Sequence, residues 1–346
     1  MTEAAGRHMA AEIDEQPDLF AGLLAERAAI QRVGERIAEH RPRFALLAAR
    51  GSSDHAALYA KYLIEVLLNL PVGLVSPSTT TLYGAEPDLD GVLLLTISQS
   101  GGSPDLLAVT ESGRKRGALT VAVTNTADSP INAAAELSVD VRAGQERAVA
   151  ATKTYSTTLL ALHLLVDAVR GGDGSTAAGL PELARATLDD SADAVEEAVR
   201  RYRFAERMVT TGRGYSLATA LEASLKLAET SYLAARAYSG ADLLHGPVAA
   251  VDADTAVLAL CGGGRGGDSM REVLDAVAER GADICAIGSA AGNCTARHRI
   301  PLPPCPEELA PVLEILPIQR LALGLARTRG LDPDQPRGLN KVTKTR

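Results

Sequence analysis

The 346-residue sequence predicts an α/β protein made of two tandem parallel sheets, each flanked by helices. Three observations predict it: short continuous apolar runs closed by Gly, Ser or Asn, amphipathic helical stretches between them, and a return of the whole pattern at one offset. An unbroken apolar run of strand length is what a strand buried on both faces of a parallel sheet requires. Phe44 to Gly51, Val92 to Ser98 and Leu119 to Thr124 are such runs. Each recurs 163 residues later, as Met208 to Gly214, Thr255 to Cys261 and Ala282 to Ile287.

The helical stretches follow in order. Leu58 to Leu67 lies after the first run, Pro104 to Arg116 after the second and Leu217 to Tyr232 after the first run of the second half, each amphipathic at helical spacing. Strand, helix, strand at these lengths makes right-handed βαβ units. The glycine-rich segment Gly171-Gly172-Asp173-Gly174-Ser175 makes Ala168 to Ser191 the expected linker, and a helix from Ala192 to Phe204 leads into the second domain. Pro317 to Thr328 reads as the last helix. The domains are thus expected at residues 1–190 and 191–330, with a tail at 331–346 whose polar composition alone favours disorder.

Hydrophobic residues are 46% and charged residues 23%, with no run of about 18 uncharged apolar residues to span a bilayer. The N-terminus lacks a basic region followed by an apolar one, so the cytoplasm is the expected compartment. With 35 Lys and Arg against 43 Asp and Glu, the net charge of -8 argues against a nucleic-acid or anionic-membrane surface. The four cysteines, Cys261, Cys285, Cys294 and Cys305, form no CxxC pair, so reduced structural thiols are expected and no metal site.

In an open parallel sheet, ligands bind beyond the C-terminal strand ends, where loops meet helix N-termini. Ser98-Gln99-Ser100-Gly101-Gly102-Ser103 is such a loop: Ser103 can cap the helix that Pro104 begins, and backbone N–H groups and hydroxyls there suit an anion. Gly51-Ser52-Ser53 adds two hydroxyls at the same edge. On the helix after Gly214, Glu222, Lys226 and Glu229 share one face, which suits either a proton-transfer carboxylate tuned by a lysine or a solvated ion pair. His245, in Leu243-Leu244-His245-Gly246-Pro247, could act as acid or base near neutral pH or serve the fold. His163, among Leu159 to Leu165, reads as core.

Taken together, these residues resemble the sugar isomerase (SIS) family, in particular the isomerase half of glutamine:fructose-6-phosphate aminotransferase and stand-alone amino-sugar 6-phosphate deaminases. The likeness runs over nearly the whole chain through Ser98-Gln99-Ser100-Gly101, Thr152-Lys153-Thr154, Ala220-Leu221-Glu222, Leu225-Lys226-Leu227, His245-Gly246-Pro247 and Leu316-Pro317-Ile318-Gln319. It implies two SIS domains of flavodoxin-like three-layer αβα form, with the tail closing the site. It also implies that Ser98, Gln99, Ser100 and Ser103 bind the phosphate and that Ser52 and Ser53 contact substrate hydroxyls. Glu229 would move a proton between C1 and C2 beside Lys226, His245 would open the sugar ring, and Lys341 would form a Schiff base with the open-chain ketose. No cofactor or metal is expected. The implied partner is a small hexosamine 6-phosphate, and the implied assembly a homodimer whose site takes His245 from the other subunit.

Glutamine-using relatives begin with a glutaminase domain whose Cys follows Met1. Here Thr2 follows Met1, so the expected direction is amino-sugar phosphate to ketose phosphate and ammonia. The sequence also departs from the family pattern at Gly102, Ser103, Ala228, Leu244 and the stretch Ala234-Ala235-Arg236-Ala237-Tyr238. An Arg236 close to Glu229 would favour its carboxylate form. The altered surroundings of Glu229 also suggest a dehydratase or lyase that expels a C3 substituent from an N-acetylhexosamine 6-phosphate. A phosphosugar sensor without catalysis is the third reading, although no helix-turn-helix with a basic face accompanies it.

Overall fold

The computed structural model describes residues 5–339 and Lys341. The chain divides into two compact units, one of residues 18–146, 153–178 and 341, the other of residues 5–17, 147–152 and 179–339.

The first unit holds strands β1 (Phe44–Ala48), β2 (Val72–Leu74), β3 (Val92–Ser98), β4 (Leu119–Thr124) and β5 (Leu137–Asp140) in the order β2-β1-β3-β4-β5, all parallel. β4 is buried at every residue and β3 at all but the first, which is why these strands are apolar without alternation. The edge strands β2 and β5 are too short for an apolar run to announce them. Helices α1 (Ser52–Leu68), α2 (Pro104–Lys115) and α3 (Lys153–Val169) belong to this unit. α1 starts ahead of the expected Leu58 because Ser52, Ser53 and Asp54 form a polar first turn. α3 is buried from Lys153 to Ala168, so it carries no amphipathic stripe to betray it.

The second unit repeats the topology. β6 (Arg207–Gly212), β7 (Ala234–Ser239), β8 (Thr255–Leu260), β9 (Asp283–Gly288) and β10 (His298–Pro301) pair in parallel in the order β10-β9-β8-β6-β7. Its helices include α4 (Ser216–Ser231), α5 (Arg265–Ala278) and α6 (Ala310–Thr328). The expected linker is partly a helix, Leu180–Asp190, which buries Leu180, Ala184 and Leu188 at helical spacing. α6 begins before the expected Pro317, which lies buried within it. A proline normally ends a helix by removing a backbone donor, so sequence places the boundary there. Glu307–Thr328 is long and apolar enough to cross a membrane, yet 89% of its most apolar window is buried inside the protein, as in a core helix.

The tail is ordered by charge at a helix end. Asp334 accepts from the N–H groups of His8 and Met9, each at 2.9 Å, and Asp332 accepts from Gly6 N–H at 2.9 Å, so both carboxylates sit at the N-terminus of the helix Arg7–Asp14. This overturns the disorder that composition suggested for residues 331–339. Residues 340 and 342–346 of the expected tail lie outside the described residues.

Candidate active site

In the strand order β2-β1-β3-β4-β5 the direction of winding reverses between β1 and β3, and in open parallel sheets ligands bind beyond the C-terminal strand ends at such a switch point. Ala48 pairs with Thr96, so the chain leaves β1 through Arg50-Gly51-Ser52-Ser53 beside the place where it leaves β3 through Ser98 to Ser103. Gly101 has φ 59°, and a Cβ there would lie 2.0 Å from Ser129 Oγ, so the tight loop needs glycine. Ser98 Oγ accepts from Gly101 N–H at 3.2 Å and Ser100 Oγ from Gly102 N–H at 3.3 Å. Both hydroxyls keep their own protons for a ligand.

Two loop residues behave differently from expectation. Ser103 occupies the N-cap position of α2, but its side chain does not cap the helix; it donates to Asp105 Oδ1 at 2.6 Å. Asp105, in the first turn, takes the Leu106 N–H at 2.9 Å instead. Burial pushes the Asp105 carboxyl up, but the Ser103 hydroxyl, the Arg50 guanidinium and the Leu106 N–H together hold it below the ordinary carboxylate range. Gln99 turns its amide inward, donating to Glu146 Oε2 at 3.0 Å and lying 3.5 Å from Thr154 Oγ1.

Glu146 ties the site together and was not singled out by sequence. Its carboxylate is fully buried and accepts from Thr154 N–H at 3.3 Å, from Gln99 and from Lys341 Nζ at 3.1 Å. The tail lysine and the glutamine of the Ser98 to Ser103 loop therefore share one carboxylate within one unit. A lone acid six residues before Thr152 has no periodicity to mark it; its only sequence signal is that it precedes the Thr152-Lys153-Thr154 motif.

In the second unit, α4 carries the expected trio. Lys226 Nζ lies 2.5 Å from Glu229 and 3.4 Å from Glu222, and the side chains of Lys226 and Glu222 are 1% and 0% exposed, against 23% for Glu229. This is not the solvated ion pair that spacing also allowed. The buried ammonium is held between two carboxylates, of which Glu229 is the more exposed. His245 is exposed at the C-terminus of the short helix Gly240–Leu244, and among the described residues no hydrogen bond or ion pair joins it to Glu229. Arg236 is likewise exposed, on the edge strand β7, with no such bond to Glu229. The charge beside Glu229 comes from Lys226 rather than from Arg236.

The repeat places Cys261 to Gly266 where the first sheet has Ser98 to Ser103, yet this second loop is filled by the protein itself. Glu307 accepts from Arg265 N–H at 3.1 Å and Gly266 N–H at 2.7 Å, and a Cβ on Gly264, φ 95°, would fall 2.3 Å from its Oε2. All four cysteines are free thiols. His163 is buried, with Nε2 3.4 Å from Thr176 Oγ1, as a core histidine would be.

Close by, Glu314 is 1% exposed and accepts from Ser216 Oγ at 3.0 Å. Burial, reinforced by the charge of Glu307, pushes its carboxyl up to about 7. The folded chain thus keeps a proton that the unfolded chain releases near pH 4.3, and stability falls as pH rises from there to 7. We expect Glu314→Gln to remove roughly 3 kcal/mol of that fall, so urea midpoints at pH 5 and pH 8 differ less than in the wild type. Equal differences in the two proteins would sink this expectation.

The SIS domain profile matches residues 41–168 and 202–327. The glutamine–fructose-6-phosphate aminotransferase (isomerizing) of Pyrobaculum aerophilum is 34% identical over 96% of this chain and 57% of its own length. The enzyme of the same name from Thermococcus kodakarensis is 33% identical, over 99% and 59%. The chain therefore spans a little over half the length of these relatives. Among solved structures, a provisionally assigned phosphosugar isomerase from Silicibacter pomeroyi superposes with TM-score 0.83 at 35% identity, covering 94% of this chain and 99% of that one. The C-terminal domain of glucosamine-fructose-6-phosphate aminotransferase from Francisella tularensis superposes with TM-score 0.87 at 24% identity, covering 97% of this chain and 100% of that one, a likeness of fold. Two matched domains on two sheets of one topology make the chain a member of the SIS domain family.

Proposed function

We propose that the protein is an amino-sugar 6-phosphate isomerase and deaminase, converting a substrate such as glucosamine 6-phosphate and water to the ketose 6-phosphate and ammonia. Ser98, Ser100 and the adjoining N–H groups take the phosphate, with Gln99 and Ser103 shaping the loop, and Ser52 and Ser53 contact sugar hydroxyls. His245, contributed by a partner subunit in a homodimer, opens the ring. Glu229 removes the C2 proton and returns it to C1 through an enediol-type intermediate, leaving a ketimine at C2. Lys341 then attacks C2 and displaces ammonia, and water releases the ketose from the lysine.

The observation that carries this reading is the Glu146 carboxylate shared by Lys341 and Gln99. It connects the proposed Schiff-base lysine to the proposed phosphate loop, and it can accept the proton that Lys341 must lose before attacking. The names of the curated relatives and of the Silicibacter pomeroyi structure agree with phosphosugar chemistry. Elimination of a C3 substituent from an N-acetylhexosamine 6-phosphate is the second reading; it rests on the altered surroundings of Glu229, to which Arg236 contributes no bond among the described residues.

Two measurements test the proposal. Glucosamine 6-phosphate is expected to give equimolar ammonia and fructose 6-phosphate. Sodium borohydride added with fructose 6-phosphate is expected to fix the sugar phosphate on Lys341, read by peptide mass spectrometry. Label on another lysine, or none in an active preparation, removes the Schiff-base role. Tight phosphosugar binding without any turnover favours a sensor.

A further inference from the structure

The first sheet's switch point also carries a cation that neither the resemblance nor the loop motif assigns. Arg50 follows β1, and its Nε and Nη2 lie 2.9 and 2.8 Å from Asp105 Oδ2. The other oxygen of Asp105 takes the Ser103 proton at 2.6 Å. The Asp105 side chain is 1% exposed, whereas that of Arg50 is 49% exposed. The phosphate loop itself offers hydroxyls and N–H groups but no positive charge, and Asp105 puts a buried negative charge one hydroxyl away from it. A dianionic phosphate would be repelled at that distance unless the carboxylate were cancelled.

We propose that Arg50 is the charge-compensating residue of the phosphate loop: its guanidinium, forked onto Asp105, cancels that carboxylate beside the bound phosphate and so lets the loop accept a dianion. Asp105 is the buried negative charge that Arg50 answers, and an asparagine there would keep an oxygen for the Ser103 hydroxyl. The fork geometry is specific to a guanidinium, since an ammonium cannot place two donors on one carboxylate oxygen in a fixed plane. The inference rests on the phosphate reading of Ser98 to Ser103, and it concerns binding rather than turnover.

Titration of the full chain with inorganic phosphate by calorimetry, at fixed ionic strength, tests it. Arg50→Ala is expected to weaken phosphate at least roughly tenfold, Asp105→Asn to bind as well as the wild type or better, and the double variant to recover to within about threefold of Asp105→Asn. A loss from a merely structural role would not be rescued by the second substitution. A double variant as weak as Arg50→Ala, or Arg50→Ala as tight as the wild type, overturns the role of Arg50. If Arg50→Ala does not fold, Asp105→Asn decides: weaker phosphate binding in a folded Asp105→Asn overturns the proposal, and equal or tighter binding supports it. A wild type that binds no phosphate overturns the phosphate reading itself, which is a separate result.

Discussion

Replacing Glu229 by Gln is expected to lower turnover of glucosamine 6-phosphate by roughly 10²–10⁴-fold, the usual contribution of a positioned general base, while phosphosugar affinity stays within a few-fold. The substitution keeps the size of the side chain and an oxygen for Lys226, 2.5 Å away, and removes only the ability to accept a proton. Lys226 keeps Glu222 at 3.4 Å, so the ammonium is not stranded. The contacts of the proposed phosphate loop, Ser98 with Gly101 and Ser100 with Gly102, do not involve Glu229. Rates are measured by ammonia release, and affinity by calorimetry with an open-chain sugar-alcohol phosphate that cannot react. A variant with wild-type turnover would move the base elsewhere. A variant that loses binding and turnover equally would make Glu229 a binding residue.

What the sequence made legible follows from which physical constraints act locally. β3 and β4 lie at their expected bounds because burial on both faces allows only apolar residues there. The 163-residue offset showed two sheets of one topology for the same reason. α3 escaped because a helix buried on every side has no polar face to set its period, and α6 was cut at Pro317 because packing, not propensity, carries the helix through that proline.

The candidate site divides along the same line. Ser98 to Ser103 and the trio on α4 are runs of adjacent or helically spaced residues, so their patterns are visible in one dimension. Glu146, Arg50 and Asp105 act across 195, 55 and 55 residues of sequence respectively, and their partners are chosen by the fold. The repeat also suggested equal loops on the two sheets. Glu307, 41 residues from Gly266, fills the second one, an asymmetry that no local pattern contains.

Lys226→Met is expected to cost about 3–5 kcal/mol, the usual loss when one partner of a buried ion pair is removed. The lysine is 1% exposed and faces Glu222 at 0%, so the methionine fills the space but takes away the ammonium that balances a carboxylate shut off from water. For a unit of this size the loss corresponds to a melting point lower by roughly 10 °C. Adding Glu222→Gln leaves no uncompensated charge at that position, and most of the lost stability is expected to return. Turnover is not expected to return with it, because Glu229 still lacks the ammonium at 2.5 Å that sets its charge environment. Circular dichroism melts and ammonia release on the single and double variants separate the two roles. An unchanged melting point in Lys226→Met would mean that water reaches the trio, whereas recovery of both stability and rate in the double variant would reduce Lys226 to a structural counter-ion.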